Sequence, residues 1–117
     1  MNETVIQKQI ADAISEDVTV TEVHPMRDDT DIHGRPFLAR DRLRKIYEGR
    51  LRGVLQSAPE RTDLQHLCQS VLTSLAAVAD DEPLYSWRAQ TPSRRLSGFS
   101  TPIRVVAMLP DAPENAS

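Results

Sequence analysis

The chain has 117 residues, of which 39% are hydrophobic, and its formal net charge at pH 7 is −3. This length suits one domain with a real core and is too short for two domains of ordinary size. The negative charge is atypical of a general polyanion binder, and no apolar run approaches the roughly 20 residues of a membrane-spanning helix. Because Cys68 is the only cysteine, no disulfide framework is expected, which favours a reducing, cytoplasmic location.

The N-terminal segment is predicted to form a helix and then a strand. Residues 3–16 have helical periodicity, and Thr4 and Gln7 have the spacing of a capping box. The predicted apolar stripe consists of Ile6, Ile10, Ala13 and Ile14. Residues 18–23 are rich in β-branched side chains, which is typical of a strand.

The polar loop from His24 to His33 contains a partial calcium-loop pattern. The matching positions are Asp29, Asp31, His33 and Gly34. Arg40 stands where such a loop requires a bidentate glutamate, so we expect no metal and no cofactor. An acidic turn that compensates the basic helix after it is the favoured interpretation. A histidine–aspartate pair is also a candidate general base, and a small enzyme using this loop is therefore a third functional hypothesis.

Residues 34–57 carry half of the 14 lysines and arginines and are predicted to form a helix of about 20 residues. Gly34 and Pro36 suit its entrance, and Ala58-Pro59 its exit. The side predicted to face the core contains Ala39, Leu43, Ile46, Tyr47, Leu51, Val54 and Leu55. Three arginines project within this apolar arc, so each must extend to solvent or pair with a carboxylate. They are Arg40, Arg44 and Arg50.

The opposite side of this helix is basic and contains Arg42, Lys45, Gly49, Arg52 and Gly53. Each glycine costs a helix about 1 kcal/mol relative to alanine. Either a partner approaches closely at Gly49 and Gly53, or the helix frays after Glu48. The pattern leaves both interpretations open.

Residues 62–79 have the clearest helical stripe, and Thr62 and Gln65 are predicted to form a capping box. The stripe consists of Leu64, Leu67, Cys68, Val71, Leu72, Leu75, Val78 and Ala79. We expect Leu72 and Leu75 to be buried between this helix and the sheet.

The C-terminal part is predicted to form two strands joined as a hairpin, residues 84–89 and 103–109. Residues 91–100 between them are rich in turn formers and carry Arg94 and Arg95, a basic tip. Residues 110–117 are predicted to be a disordered polar tail.

These elements predict one α+β domain over residues 1–109, with three helices packed on a small antiparallel sheet of two or three strands. We expect a small non-enzymatic binding or regulatory protein of the inhibitor, adaptor or chaperone type. Its partner is expected to be a protein with an acidic surface. The predicted contact residues are Arg42, Lys45, Gly49, Arg52, Arg94 and Arg95.

The order of the elements also resembles that of winged helix-turn-helix proteins, in which Arg94 and Arg95 lie on the wing. The resemblance implies a nucleic-acid-binding regulator, the alternative hypothesis. Its recognition helix is residues 62–79, which contain no lysine or arginine. The usual charged contacts to phosphate and guanine are therefore missing there.

Overall fold

The computed structural model describes residues 2–15 and 17–110. These residues form three helices and six strands, which confirms the α+β class. In chain order the elements are α1 (Asn2–Ile14), β1 (Thr19–Met26), β2 (Asp29–Thr30), β3 (Pro36–Phe37), α2 (Ala39–Ser57), α3 (Thr62–Ala76), β4 (Leu84–Gln90), β5 (Arg95–Thr101) and β6 (Arg104–Pro110). The predicted tail loses Pro110 to β6, and its remaining residues, 111–117, lie outside the described part of the chain.

Two compact units make up the chain. The sheet unit contains the described residues up to Met26 together with those from Glu82 onward. The inserted unit is Arg27–Asp81, and it is placed in the sequence between β1 and β4. The single domain over residues 1–109 stays a prediction.

The sheet unit is built on a four-stranded antiparallel sheet in the order β1-β4-β5-β6. Helix α1 packs on it through Ile6 and Ile10, both fully buried. Trp87 is 1% exposed and lies beside Gly98 in the strand register. A Cβ on Gly98 would lie 2.5 Å from Cζ2 of Trp87 and would also collide with the carbonyl oxygen of Ala107. Glycine is therefore required where the indole crosses β5.

The sheet is larger than predicted because the turn-rich segment 91–100 is mostly strand. Its turn is confined to Thr91–Arg94, where the amide of Thr91 donates to the carbonyl of Arg94 at 2.8 Å. Strand β5 then begins at Arg95. Serine and glycine are common in turns, which is why this segment was predicted to be a loop. Gly98 instead lies within β5, where it leaves space for the side chain of Trp87.

The inserted unit contains a two-stranded ribbon, β2–β3, and the helices α2 and α3, which pack on each other. The buried residues of the two helices are Ala39, Leu43, Tyr47, Cys68, Val71 and Leu75. Arg40 links the start of α2 to the segment after α3. It donates to the carbonyl oxygen of Val78 at 2.6 Å and pairs with Asp80 at 2.7 Å.

The predicted entrance of α2 is wrong. Gly34 lies in a turn with φ +78°, and Pro36 belongs to β3. The helix begins at Ala39, whose amide donates to the side chain of Asp28 at 3.0 Å. Asp28 thus supplies a cap from eleven residues away, which local sequence rules do not detect.

The predicted capping box of α3 is also wrong, although the helix begins at Thr62 as expected. No side chain caps it at Arg61, and Gln65 donates instead to the carbonyl oxygen of Pro59 at 2.7 Å. Leu75 is fully buried, whereas Leu72 is only half-buried. In the described part of the chain, no helix combines the length and apolarity needed to cross a bilayer.

Candidate binding surface

The predicted basic face lies on the outer side of α2. The helix is continuous through Gly49 and Gly53 to Ser57, so the interpretation that it frays is wrong. A Cβ built on either glycine meets no atom within 4 Å. This side of the helix is consequently flat and open between Lys45 and Arg52.

Most arginines of α2 have partners inside the inserted unit. Arg42 pairs with Asp29 at 3.1 Å, and Arg44 pairs with Asp41 at 3.4 Å. The Arg50 guanidinium lies 5.0 Å from the centre of the Tyr47 ring, within reach of a cation–π contact. With the Arg40 pair, the arginines of the apolar arc are therefore accommodated by pairing and stacking.

Lys45 and Arg52 differ from these arginines. Both are exposed, and neither makes a salt bridge within residues 2–15 and 17–110. They lie seven residues apart, which is about 10 Å along a helix. Two unpaired positive charges therefore border the flat part of α2.

Tyr47 and Cys68 face the opposite way, into the helix pair. Burial is the main cause that raises the pKa of the Tyr47 phenol, and burial also raises the pKa of the Cys68 thiol. A buried thiol held in its protonated form is a poor nucleophile. Cys68 is thus a core residue, as its place on the stripe predicted.

The aspartates of the predicted polar loop, Asp29 and Asp31, hydrogen-bond within the β2–β3 ribbon, and Asp29 also connects the ribbon to α2. One carboxylate oxygen of Asp31 accepts from the amides of His33, at 2.8 Å, and Arg35, at 2.9 Å. Asp29 accepts from Thr30 at 2.9 Å, in addition to its pair with Arg42. The prediction that an acidic turn compensates the basic helix is confirmed for Asp29.

No group of three or more potential metal-ligating side chains occurs among the residues that the structure describes. His24 lies in β1 and not in a loop as predicted, and its Nε2 is 3.2 Å from a carboxylate oxygen of Glu22. His33 lies between β2 and β3, and both histidines are exposed. The backbone amide of His33, and not its ring, donates the hydrogen bond to Asp31. The expectation that this loop binds no metal and the hypothesis that it is catalytic both stay predictions.

A surface cavity of about 510 Å³ lies beside the ribbon at the start of α2. Its lining residues are Thr30, Asp31, Ile32, Phe37, Arg42, Lys45 and Ile46. Ile32, at the tip of the ribbon, is 95% exposed, and Ile46 is 43% exposed. Apolar side chains therefore meet water next to the unpaired Lys45.

The sequence placed Ile46 and Leu55 in the core, and this is wrong: Leu55 is 51% exposed. The predicted apolar stripe of α2 is wider than the single packed helix α3 covers, so residues at its borders stay in solvent. The width of this apolar stripe was therefore the feature of the sequence from which an exposed apolar surface beside α2 could have been predicted. Phe37 lies outside the predicted apolar face of the helix, so the periodicity gives no signal for it.

Arg94 and Arg95 belong to the sheet unit, whereas the other four predicted contact residues belong to the inserted unit. Arg94 closes the β4–β5 turn, in which its amide donates to the Thr91 hydroxyl at 3.0 Å. Arg95 begins β5 opposite Gln90. Both side chains are exposed.

Comparison with known proteins gives no relative: no family model, no curated protein and no solved structure matches this chain.

Proposed function

We propose that this is a non-enzymatic binding protein that contacts a partner protein with an acidic surface through the outer face of α2. The observation that carries the proposal is the contrast among the basic residues of this helix. Arg40, Arg42 and Arg44 form salt bridges within the inserted unit. Lys45 and Arg52 form none with the described residues, so their charge is available to another molecule.

A protein partner fits this face better than a nucleic acid does. Binding of DNA or RNA draws on several neutralised phosphates, whereas this face offers two unpaired cations and the whole chain carries −3. Protein interfaces depend instead on a few well-packed residues surrounded by a polar rim. The flat glycine positions Gly49 and Gly53 permit such close contact.

The proposed role is that of an inhibitor, adaptor or chaperone-type regulator in the cytoplasm. Cys68 is a buried free cysteine, which is compatible with a reducing compartment.

The proposal is tested by quantitative affinity purification with three forms of the protein. These are the wild type, Lys45→Glu/Arg52→Glu, and the matched control Arg94→Glu/Arg95→Glu, which makes the same change in charge on the sheet unit. We expect a partner that is lost with the first variant and kept with the second. Arg42 is left unchanged because it holds the ribbon through Asp29. Loss with the Arg94 and Arg95 variant alone would overturn the proposal.

Fluorescence anisotropy with random double-stranded DNA tests the winged-helix alternative. We expect no tight binding at physiological salt because the net charge of the protein is −3, which makes its long-range attraction to a polyanion weak. Submicromolar binding that weakens steeply with salt and disappears with Arg94→Glu/Arg95→Glu would establish the alternative in place of the proposed function.

A further inference from the structure

We propose that the cavity beside the β2–β3 ribbon receives an apolar side chain from an acidic segment of the partner protein. This inference rests on the proposed function, and it adds the chemistry of the segment that binds. Its basis is the combination of an apolar cavity, a rigid ribbon and unpaired cations along one side of α2.

The apolar character comes from Ile32, Phe37 and Ile46, which line the cavity from two elements. Its volume of about 510 Å³ falls within the roughly 300–1,000 Å³ range of ligand-binding pockets. Ile32 is 95% exposed, the largest exposed fraction among the large hydrophobic residues described. An apolar side chain entering here would remove this surface from water, which is favourable in proportion to the area buried.

Hydrogen bonds within the ribbon that carries Ile32 order it without a partner. Asp31 accepts from the amides of His33 and Arg35, and the amide of Gly34 donates to the carbonyl of Asp31 at 3.0 Å. The pair between Asp29 and Arg42 fastens the ribbon to α2. Such preorganisation reduces the conformational entropy that binding removes.

Charge complementarity identifies the segment as acidic. Lys45 lines the cavity, and Arg52 lies about 10 Å further along α2. The one carboxylate in the lining, Asp31, already accepts bonds from two amides and from the Arg35 side chain. The segment therefore has an apolar residue beside one carboxylate and a second carboxylate about 10 Å away, a separation of about seven residues in a helix or three in a strand.

The experiment titrates the isotope-labelled protein with two short polyglutamate peptides and follows amide chemical shifts by NMR. One peptide has a central leucine, and the matched peptide has alanine at the same place. We expect the leucine peptide to bind at least about tenfold more tightly, since burying a leucine side chain contributes more than the free energy of a tenfold change. The amides of Thr30, Phe37 and Ile46 are expected to shift.

Three substitutions locate the site. Ile46→Asp and Ile32→Asp are expected to remove the advantage of leucine, because each places a charge in the cavity. Ile103→Asp is the control, since Ile103 is a 77% exposed residue of the sheet unit. It is expected to leave the advantage unchanged.

Equal binding of the two peptides, or a leucine advantage that survives Ile46→Asp and Ile32→Asp, would overturn the inference. The failure of the proposed function has a different signature. If Lys45→Glu/Arg52→Glu weakens both peptides equally while leucine has no effect, the basic face stands and the cavity does not. If that variant has no effect on either peptide or on partner capture, the proposed function fails.

Discussion

Different kinds of interaction stabilise the interior of each of the two compact units. In the sheet unit, one apolar cluster includes α1 and all four strands of the sheet, with Ile6, Ile10, Trp87 and Leu96 among its buried residues. In the inserted unit, an apolar seam between α2 and α3 is supplemented by contacts of charged side chains, including those of Arg40 with Val78 and of Asp29 with Arg42. The proposed function rests on the inserted unit, because Lys45 and Arg52 form no salt bridge with the described residues.

The largest expected effect is on the sheet core. Trp87→Ala removes the largest fully buried side chain and is expected to lower the free energy of unfolding by about 3–5 kcal/mol. Urea unfolding followed by far-UV circular dichroism measures it. The control, Ile103→Ala in an exposed turn, is expected to stay within about 0.5 kcal/mol. A loss below about 1 kcal/mol for Trp87→Ala would contradict a single apolar core in this unit.

The next effect tests the seam of the inserted unit. Leu75→Ala is expected to cost about 2–5 kcal/mol because Leu75 is fully buried. Leu72→Ala, one turn earlier, is expected to cost less since Leu72 is half-buried. Unfolding followed at 222 nm reports both changes. Equal losses at the two positions would show that the seam extends over Leu72.

The charged link between α2 and the segment after α3 has a smaller expected effect. Arg40→Met keeps the apolar part of the side chain but loses the bonds to Val78 and Asp80. Hydrogen bonds to charged groups contribute about 1.5–3 kcal/mol, and a loss of about 1–3 kcal/mol is expected. Arg44 is the more exposed of the two arginines, and Arg44→Met should cost less than about 1 kcal/mol. If the two variants lost the same stability, Arg40 would be no more than a surface charge.

Glycine substitutions are expected to have opposite signs in the two units. Gly49→Ala should raise stability by up to about 1 kcal/mol, because the helix is continuous and the new methyl group has open space. Gly98→Ala should lower it, because its Cβ would collide with Trp87. Urea midpoints decide the signs. Gly49→Ala is also expected to weaken capture of the partner, and stronger capture would argue against contact at this face.

The smallest expected effect is that of metal ions on the acidic loop. Calcium, zinc or EDTA should leave the midpoint of thermal unfolding unchanged, because Asp29 and Asp31 already accept hydrogen bonds within the ribbon. A ligand that binds only the native state must raise its stability. An increase of several degrees with one of these ions would therefore overturn this expectation and restore a metal site to the loop.

The sequence alone determined the three helices, the β-branched strand β1 and the basic face of α2. Each is a local property: a periodic stripe, a run of β-branched residues or a spacing of like charges. The continuity of α2 and the fourth strand of the sheet were decided by tertiary structure. Gly98, for example, resembles a turn residue until Trp87 is known to lie against it.

The candidate binding surface was likewise predictable from the sequence in part. Its positive residues were predictable because charge spacing on a helix is visible in the sequence. Which charges form salt bridges was decided in part by contacts distant in the chain, such as the pair between Arg42 and Asp29. The cavity was likewise not predictable, because it is formed by the ribbon at Ile32 and by the part of α2 that α3 does not cover. Hydropathy periodicity gives the direction of an apolar face. Which residues of that face are buried depends on the element that packs against it.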